Sequence, residues 1–284
     1  ACPEAIDLSH RVDLPTANIR GKDLDSIGSG KNMTTAHIPP EARADRFRLS
    51  PPSLGTSFLE ARAFFEFTSL LPAAPGLLSL PRGDGRPVMT LPGFGADDTS
   101  TWPLRRFLQS LGYQPIPWGL GINDDPEVAA ERLLERLPSL LSGDEGLTLI
   151  GWSLGGIVAR LIAHHAPEAV REVITLGTPV EGGPKYTSIG GMYARGRGIN
   201  LDAFEAHVHN VNARGIEAPL TVIFSRSDAV VGWRAAIDRY NPHARHVEVR
   251  SSHLGLGTNP SVYRVIGRTL AGKPVTLANG DLIR

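Results

Sequence analysis

Cysteine is nearly absent from this 284-residue chain, which has one, Cys2. A single thiol excludes an intrachain disulfide and any paired-cysteine zinc site. A charge excess is absent too, because 29 Lys plus Arg face 29 Asp plus Glu. Without a basic field, nucleic acid is not an expected partner. No apolar run reaches the eighteen or so residues of a spanning helix. The richest stretch, Phe64 to Leu80, is broken by Glu66, Pro72 and Pro75, so no integral membrane association is expected. Charged residues at Glu4, Asp7, Arg11 and Asp13 interrupt any leader-like apolar stretch. The expected location is cytoplasmic, with export after removal of a leader left open. There is no H-E-x-x-H and no Cys/His cluster, so no metal is expected.

The chain does have the balance of an ordinary globular protein, with 41% hydrophobic and 20% charged residues. Its 31 glycines and 23 prolines imply many tight turns. Residues 1–50 are expected to be an N-terminal extension. The first 32 are polar and aperiodic, either disordered or upstream of a natural start near Met33. Residues 51–284 are expected to form the folded domain. From Thr56 to Leu71 the apolar residues Phe58, Leu59, Ala63, Phe64, Phe67 and Leu71 recur at helical spacing, which predicts a helix packed on the core.

Beyond this segment, strand and helix signals alternate. Short apolar runs at Val88–Leu91, Leu147–Ile150, Val173–Leu176, Leu220–Phe224 and His246–Val249 have the length of buried parallel strands, and Tyr113–Pro117 adds a weaker one. Helical patterns fill the gaps at Pro103–Leu111, Pro126–Leu141, Leu154–His165 and Ser261–Ala271. The alternation predicts an α/β layered fold. Residues 180–219 break the rhythm. They are Gly-rich and then carry Leu201, Phe204, Val208 and Val211 at helical spacing, the pattern of a lid or of a helix capping the sheet.

The chemistry concentrates on Gly151-Trp152-Ser153-Leu154-Gly155, a G-x-S-x-G between a buried strand and a helix. In that setting the string marks a nucleophile elbow: a sharp turn strains the serine, and glycines remove side chains that would clash. The competing reading is a Gly-rich turn with a serine helix cap. A serine needs a base oriented by an acid, and in sheets built around this turn the acid and histidine follow in that order. Asp228 lies just past the strand Leu220–Phe224, and His253 just past His246–Val249. Their plain alternatives are a turn aspartate and an exposed loop histidine. His164, His165, His207, His209, His243 and His246 read as surface or capping residues. Two backbone donors for a developing oxyanion would come from Leu154 and from Phe94 in Pro92-Gly93-Phe94-Gly95. The same glycines do not extend to a dinucleotide fingerprint, because Asp98 stands where the third small residue belongs.

Five pieces in order, LPGFG at 91–95, IGWSLGG at 150–156, ITLGTP at 174–179, SRSD at 225–228 and SHLGLG at 252–257, resemble the α/β-hydrolase superfamily, in its bacterial lipase/esterase-like branch. Trp152 and Pro92 stand where many lipases have histidine. The resemblance implies a three-layer fold with a mostly parallel central sheet, helices on both faces and a short lid insertion. It also implies Ser153, Asp228 and His253 as catalytic triad, with Phe94 and Leu154 as oxyanion donors. The expected activity is cofactor-free hydrolysis of a small carboxylic ester with an apolar acyl group, the pocket being lined by Trp152, Met192, Tyr193 and Phe204. An acyltransferase, thioesterase or amidase would use the same groups, and a non-catalytic binding module could keep the fold alone.

Overall fold

The computed structural model describes residues 49–53, 58, 60–141 and 146–275, all within the unit Asp45–Arg284. The predictions for residues 1–32 lie outside the described residues.

Six parallel strands form one open sheet: β1 (Pro87–Leu91), β2 (Gln114–Pro117), β3 (Leu147–Trp152), β4 (Val170–Leu176), β5 (Leu220–Phe224) and β6 (Arg245–Glu248), in the order β2-β1-β3-β4-β5-β6. Strand alternation decides which side chains feed which layer. Val88, Ile150, Ile174, Ile223 and Val247 turn to one face, where they meet Leu77 and Leu80, the helix Trp102–Leu111 and the helix Pro260–Leu270. Their neighbours Met89, Leu149, Val173 and Val222 turn to the other face and meet the helices Pro126–Leu140 and Leu154–His165. Most of these side chains are fully buried, each contributing roughly 1.5–3 kcal/mol of transfer free energy.

Numbered in chain order, the helices are α1 (Arg62–Thr68), α2 (Leu70–Leu78), α3 (Trp102–Leu111), α4 (Pro126–Leu140), α5 (Leu154–His165), α6 (Gly190–Arg197), α7 (Leu201–Asn212) and α8 (Pro260–Leu270). Helix α4 starts as the sequence predicts, with Asp125 accepting from the Glu127 and Val128 N–H groups and proline at the first turn. Helices α6 and α7 occupy the interruption between β4 and β5. Among the described residues, no helix is long and apolar enough to cross a membrane.

The expected core-packed helix over Thr56–Leu71 is overturned. Two short helices share Ser69 as boundary, and their aromatic stripe points outward. Phe58, Phe64, Phe65, Phe67 and Leu71 are between 48% and 81% exposed, while Glu66 is the buried residue of α1, at 8%. The side that turns inward is the one whose carboxylates find backbone donors beneath it. An acid can be buried only when hydrogen-bonded, whereas an exposed phenyl ring merely forgoes stabilisation. Only further along does this segment meet the core, first through the partly buried Leu70 and Ala73 and then through the buried Leu77 and Leu80.

Candidate active site

Ser153 sits between β3 and α5 with φ 53° and ψ −118°, the only non-glycine residue at positive φ among the described residues. The surroundings enforce this strain. A Cβ at Gly151 would stand 2.4 Å from the Gly155 carbonyl oxygen, one at Gly155 2.3 Å from the Leu91 oxygen, and one at Gly156 1.9 Å from Thr178 Oγ1. No side chain fits, so strand and helix cross at backbone contact and the serine is forced out of the allowed region. Two bonds fix the turn: the Ser153 N–H donates to Leu176 O at 2.8 Å, and Thr178 Oγ1 donates to Ser153 O at 3.0 Å. The residue occupies the cap position of α5, yet its side chain makes no capping bond. The helix-cap reading therefore fails.

His253 is 4% exposed, so the exposed-loop reading fails as well. Its Nδ1 donates to Asp228 Oδ2 at 2.7 Å. The other oxygen of Asp228 accepts the N–H groups of Val230 at 2.9 Å and Val231 at 2.7 Å. Asp228 is thus both a turn aspartate and the partner of the histidine. Burial works against a charged imidazole at His253, but the Asp228 carboxylate outweighs it through its charge and hydrogen bond, with Glu60 adding its field. The histidine pKa is raised above its ordinary value.

The acid and histidine loops are stitched together by Ser225, whose Oγ donates to Ser251 O at 2.6 Å and accepts the Ser227 and Ser251 N–H groups. The serine turn reaches the same place by two routes. Trp152 Nε1 donates to the His253 carbonyl at 3.2 Å. Gly177, which follows the residue that holds the Ser153 N–H, lies so close that a Cβ would be 3.0 Å from Asp228 Oδ2 and 3.2 Å from His253 Nδ1. Strand ends at β3, β5 and β6 thus carry the three groups to one sheet edge.

The Pro92–Gly95 loop lies over the turn, with the Gly93 position 3.4 Å from Ser153 Cβ when given its own Cβ. Fully buried Asn123 holds this loop: its Nδ2 donates to Pro92 O at 2.7 Å, its carbonyl accepts the Gly95 N–H at 2.7 Å, and its N–H donates to Ala96 O at 2.9 Å. The N–H groups of Phe94 and Leu154 form no hydrogen bond within the described residues.

From Ser153 a cavity of about 90 Å³ runs along α5, past Leu154, Ile157 and Leu161 to His164. Its roof is α6 and α7, which contribute Tyr193, Phe204, Val208 and Val211. Phe94, Tyr193 and Phe204 form a relay of edge-on rings, with centroids 5.4 and 6.4 Å apart. Two of the expected pocket residues are placed elsewhere. Met192 is 54% exposed on α6, and Trp152 packs on the core side of the sheet against the histidine loop; neither is among the described residues lining the cavity. Among the set-aside histidines, His164 and His207 do line it. His207 Nε2 pairs with Glu127 at 2.9 Å, and Arg197 pairs with Asp125, so both roof helices are tied to the start of α4. No group of three or more His, Cys, Asp or Glu among the described residues is placed to hold a metal ion.

The sequence reading missed Asn123, Ser225, Thr178 and the carboxylates of Glu60 and Glu66. Ser225 and Thr178 lie inside the SRSD and ITLGTP pieces without a role read for them, and Asn123, Glu60 and Glu66 lie in no motif; each has partners distant in sequence.

Residues 88–190 match the family model described as alpha/beta hydrolase fold, a span that includes the serine turn and the Phe94 loop. Solved structures with a similar backbone include three others. One is an alpha/beta hydrolase enzyme from the metagenome of sediments of the lagoon of Mar Chica, Morocco, at 19% identity over 67% of this chain and 93% of that one, with TM-score 0.49. Naproxen esterase of Bacillus subtilis shows 15% identity over 76% and 99%, with TM-score 0.44. An alpha/beta hydrolase fold protein from Chitinophaga pinensis shows 16% identity over 67% and 91%, with TM-score 0.48. With the matched segment spanning the β1 loop and the serine turn, and with an open parallel sheet covered by helices on both faces, the chain has the α/β-hydrolase fold.

Proposed function

We propose that the protein is a serine hydrolase of carboxylic esters, with Ser153 as nucleophile, His253 as general base and acid, and Asp228 as the group that fixes the imidazole. The observation that carries this reading is the buried 2.7 Å His253–Asp228 pair at the same sheet edge as a strained, uncapped serine. With Nδ1–H committed to Asp228, the Nε2 of neutral His253 is the nitrogen free to accept the Ser153 proton. The alkoxide adds to the ester carbonyl, and the Phe94 and Leu154 N–H groups receive the oxyanion, each worth roughly 3 kcal/mol of transition-state stabilisation. The dipole at the start of α5 favours the same charge. Imidazolium then returns its proton to the leaving alcohol. Water, deprotonated by the same nitrogen, releases the acid and restores Ser153.

The cavity supports an apolar acyl group. By volume it would hold roughly six to nine water-sized units, hence a chain of about that many carbons, under a lid made of α6 and α7. The test is labelling with a fluorophosphonate followed by peptide mapping, together with turnover of p-nitrophenyl esters from acetate to palmitate. Label on Ser153, a medium-chain optimum, and loss of both label and turnover in Ser153→Ala are expected. Unchanged turnover in Ser153→Ala overturns the serine mechanism, and a rate that peaks at acetate overturns the acyl assignment.

A further inference from the structure

Two carboxylates outside the elbow and the acid loop converge on the segment that bears His253. Both come from the N-terminal segment that the core ignores. Glu60 Oε1 accepts the His253 N–H at 2.9 Å and the Ala229 N–H at 3.1 Å, and its Oε2 accepts the Leu254 N–H at 2.8 Å. One side chain therefore holds the backbone of the histidine and the residue directly after Asp228. Six residues on, Glu66 accepts the Ser252 N–H at 3.1 Å, the Ser252 hydroxyl at 2.7 Å and the Ser251 hydroxyl at 3.3 Å. Arg62, one turn earlier on α1, faces Glu66 at 3.8 Å. Together they engage every residue from Ser251 to Leu254.

We propose that Glu60 and Glu66 are positioning residues for the reaction, and that the α1 segment works as a strap setting the distance and tilt of His253 relative to Asp228 and Ser153. This rests on the hydrolase reading above. The physical case is one of missing alternatives. The loop Arg250–Leu254 follows the edge strand β6, so it has sheet on one side only. It has neither helix nor strand of its own before the turn Leu254–Gly257. Backbone N–H groups in such a loop need acceptors, and charged acceptors hold them more tightly than neutral ones. The strap supplies these acceptors while leaving its phenyl rings in solvent, so its hold on the protein in this region is the carboxylate contact itself. Glu60 also faces the imidazole electrostatically. Asp228 is the other carboxylate facing it, and Glu66 is bonded one residue earlier in the chain. A misplacement of the base by about 1 Å would cost on the order of a hundredfold in rate.

The experiment measures kcat, KM and the pH profile on a p-nitrophenyl ester for wild type, Glu60→Gln, Glu66→Gln and Ser252→Ala, alongside an NMR titration of the His253 imidazole. Glu60→Gln turns an acceptor into an amide facing an N–H, so kcat should fall about tenfold or more while KM changes less than about threefold. Its His253 titration should move to lower pH, because a negative neighbour is gone. Glu66→Gln should lower kcat but leave the titration in place, since its contacts stop at Ser252. Ser252→Ala removes one hydroxyl and should lower kcat by a few-fold. If Glu60→Gln does not fold, Ser252→Ala decides, and wild-type kcat there overturns the strap. Wild-type kcat and titration in a folded Glu60→Gln overturn it directly. A wild-type protein whose ester turnover equals that of Ser153→Ala overturns the hydrolase reading, while the His253 titration still reports on Glu60.

Discussion

Replacing Asp228 with asparagine changes one oxygen to nitrogen, and the structure dictates which one. Oδ1 accepts two N–H groups, from Val230 and Val231, while Oδ2 accepts one, from His253. Turning the new amide NH2 toward the two N–H groups would leave both without an acceptor. Each unsatisfied group costs about 1–3 kcal/mol, so this orientation lies roughly 2–6 kcal/mol higher and holds at most a few per cent of the molecules. The amide oxygen therefore stays on the turn and the NH2 faces Nδ1 of His253. Nδ1 must then accept, and the imidazole proton moves to Nε2, the nitrogen that has to take the proton of Ser153. A wrong tautomer in this chemistry lowers kcat by about 10⁴-fold. The assay is steady-state hydrolysis of p-nitrophenyl butyrate, paired with a thermal melt. Asp228→Asn should melt near wild type because the turn keeps its acceptor. Asp228→Ala should lose activity and also roughly 2–6 kcal/mol of stability, since Val230 and Val231 both lose theirs. A loss below tenfold in Asp228→Asn would refute the tautomer argument.

Three further outcomes follow from the geometry. Because the His253 pKa is raised, its cation persists to higher pH than an ordinary imidazole; only the neutral ring acts as base, so kcat/KM should fall with decreasing pH through a midpoint above 6.5, and a rate that stays level to pH 5 would contradict this. Gly156→Ala would drive a methyl into Thr178 Oγ1, costing about 1–3 kcal/mol and most of the activity, to be read by calorimetry and turnover; a wild-type melt would show that the elbow has slack. Arg160, on α5, pairs with Asp238 and donates to Asn212 at the end of α7, all nearly solvent-free. Arg160→Ala should lose about 3–5 kcal/mol in urea denaturation by stranding Asp238, and a loss under 1 kcal/mol would argue against a stranded charge.

The sheet was legible because its strands are short apolar runs bounded by turns. The observed limits of β5 and α5 coincide with the predicted ones, and from β1 onward the other predicted strands and helices shift by a few residues at most. The serine turn was legible because its constraint is local, with glycines within five positions. The acid and histidine loops could be found by walking to strand ends. What failed was inference of direction. Phe58, Phe64 and Phe67 have the spacing of a buried face, but nothing in a local pattern tells which side of a helix meets the protein. That was decided by the N–H groups of Ser252, His253 and Leu254, almost two hundred residues later. Met192 failed for a related reason. Helix α6 is short and Gly-rich, and its apolar side is fixed by Tyr193, which turns inward to the Phe94 ring. Asn123 had no signal at all, because its three partners are main-chain groups of the Pro92–Ala96 loop.

The parallel register has a consequence for how such a protein can change. Ser153, Asp228 and His253 ride on the ends of rungs locked in step; sliding one rung by a single residue would carry its passenger about 3.3 Å and turn the strand's buried face outward. That part of the molecule tolerates no gradual adjustment. The walls of the cavity beside Ser153 hang from α6 and α7, which are fastened by a few side-chain ties and share no ladder with the sheet. New selectivities can therefore arise by exchanging wall residues one at a time, with the reacting atoms left where the ladder keeps them.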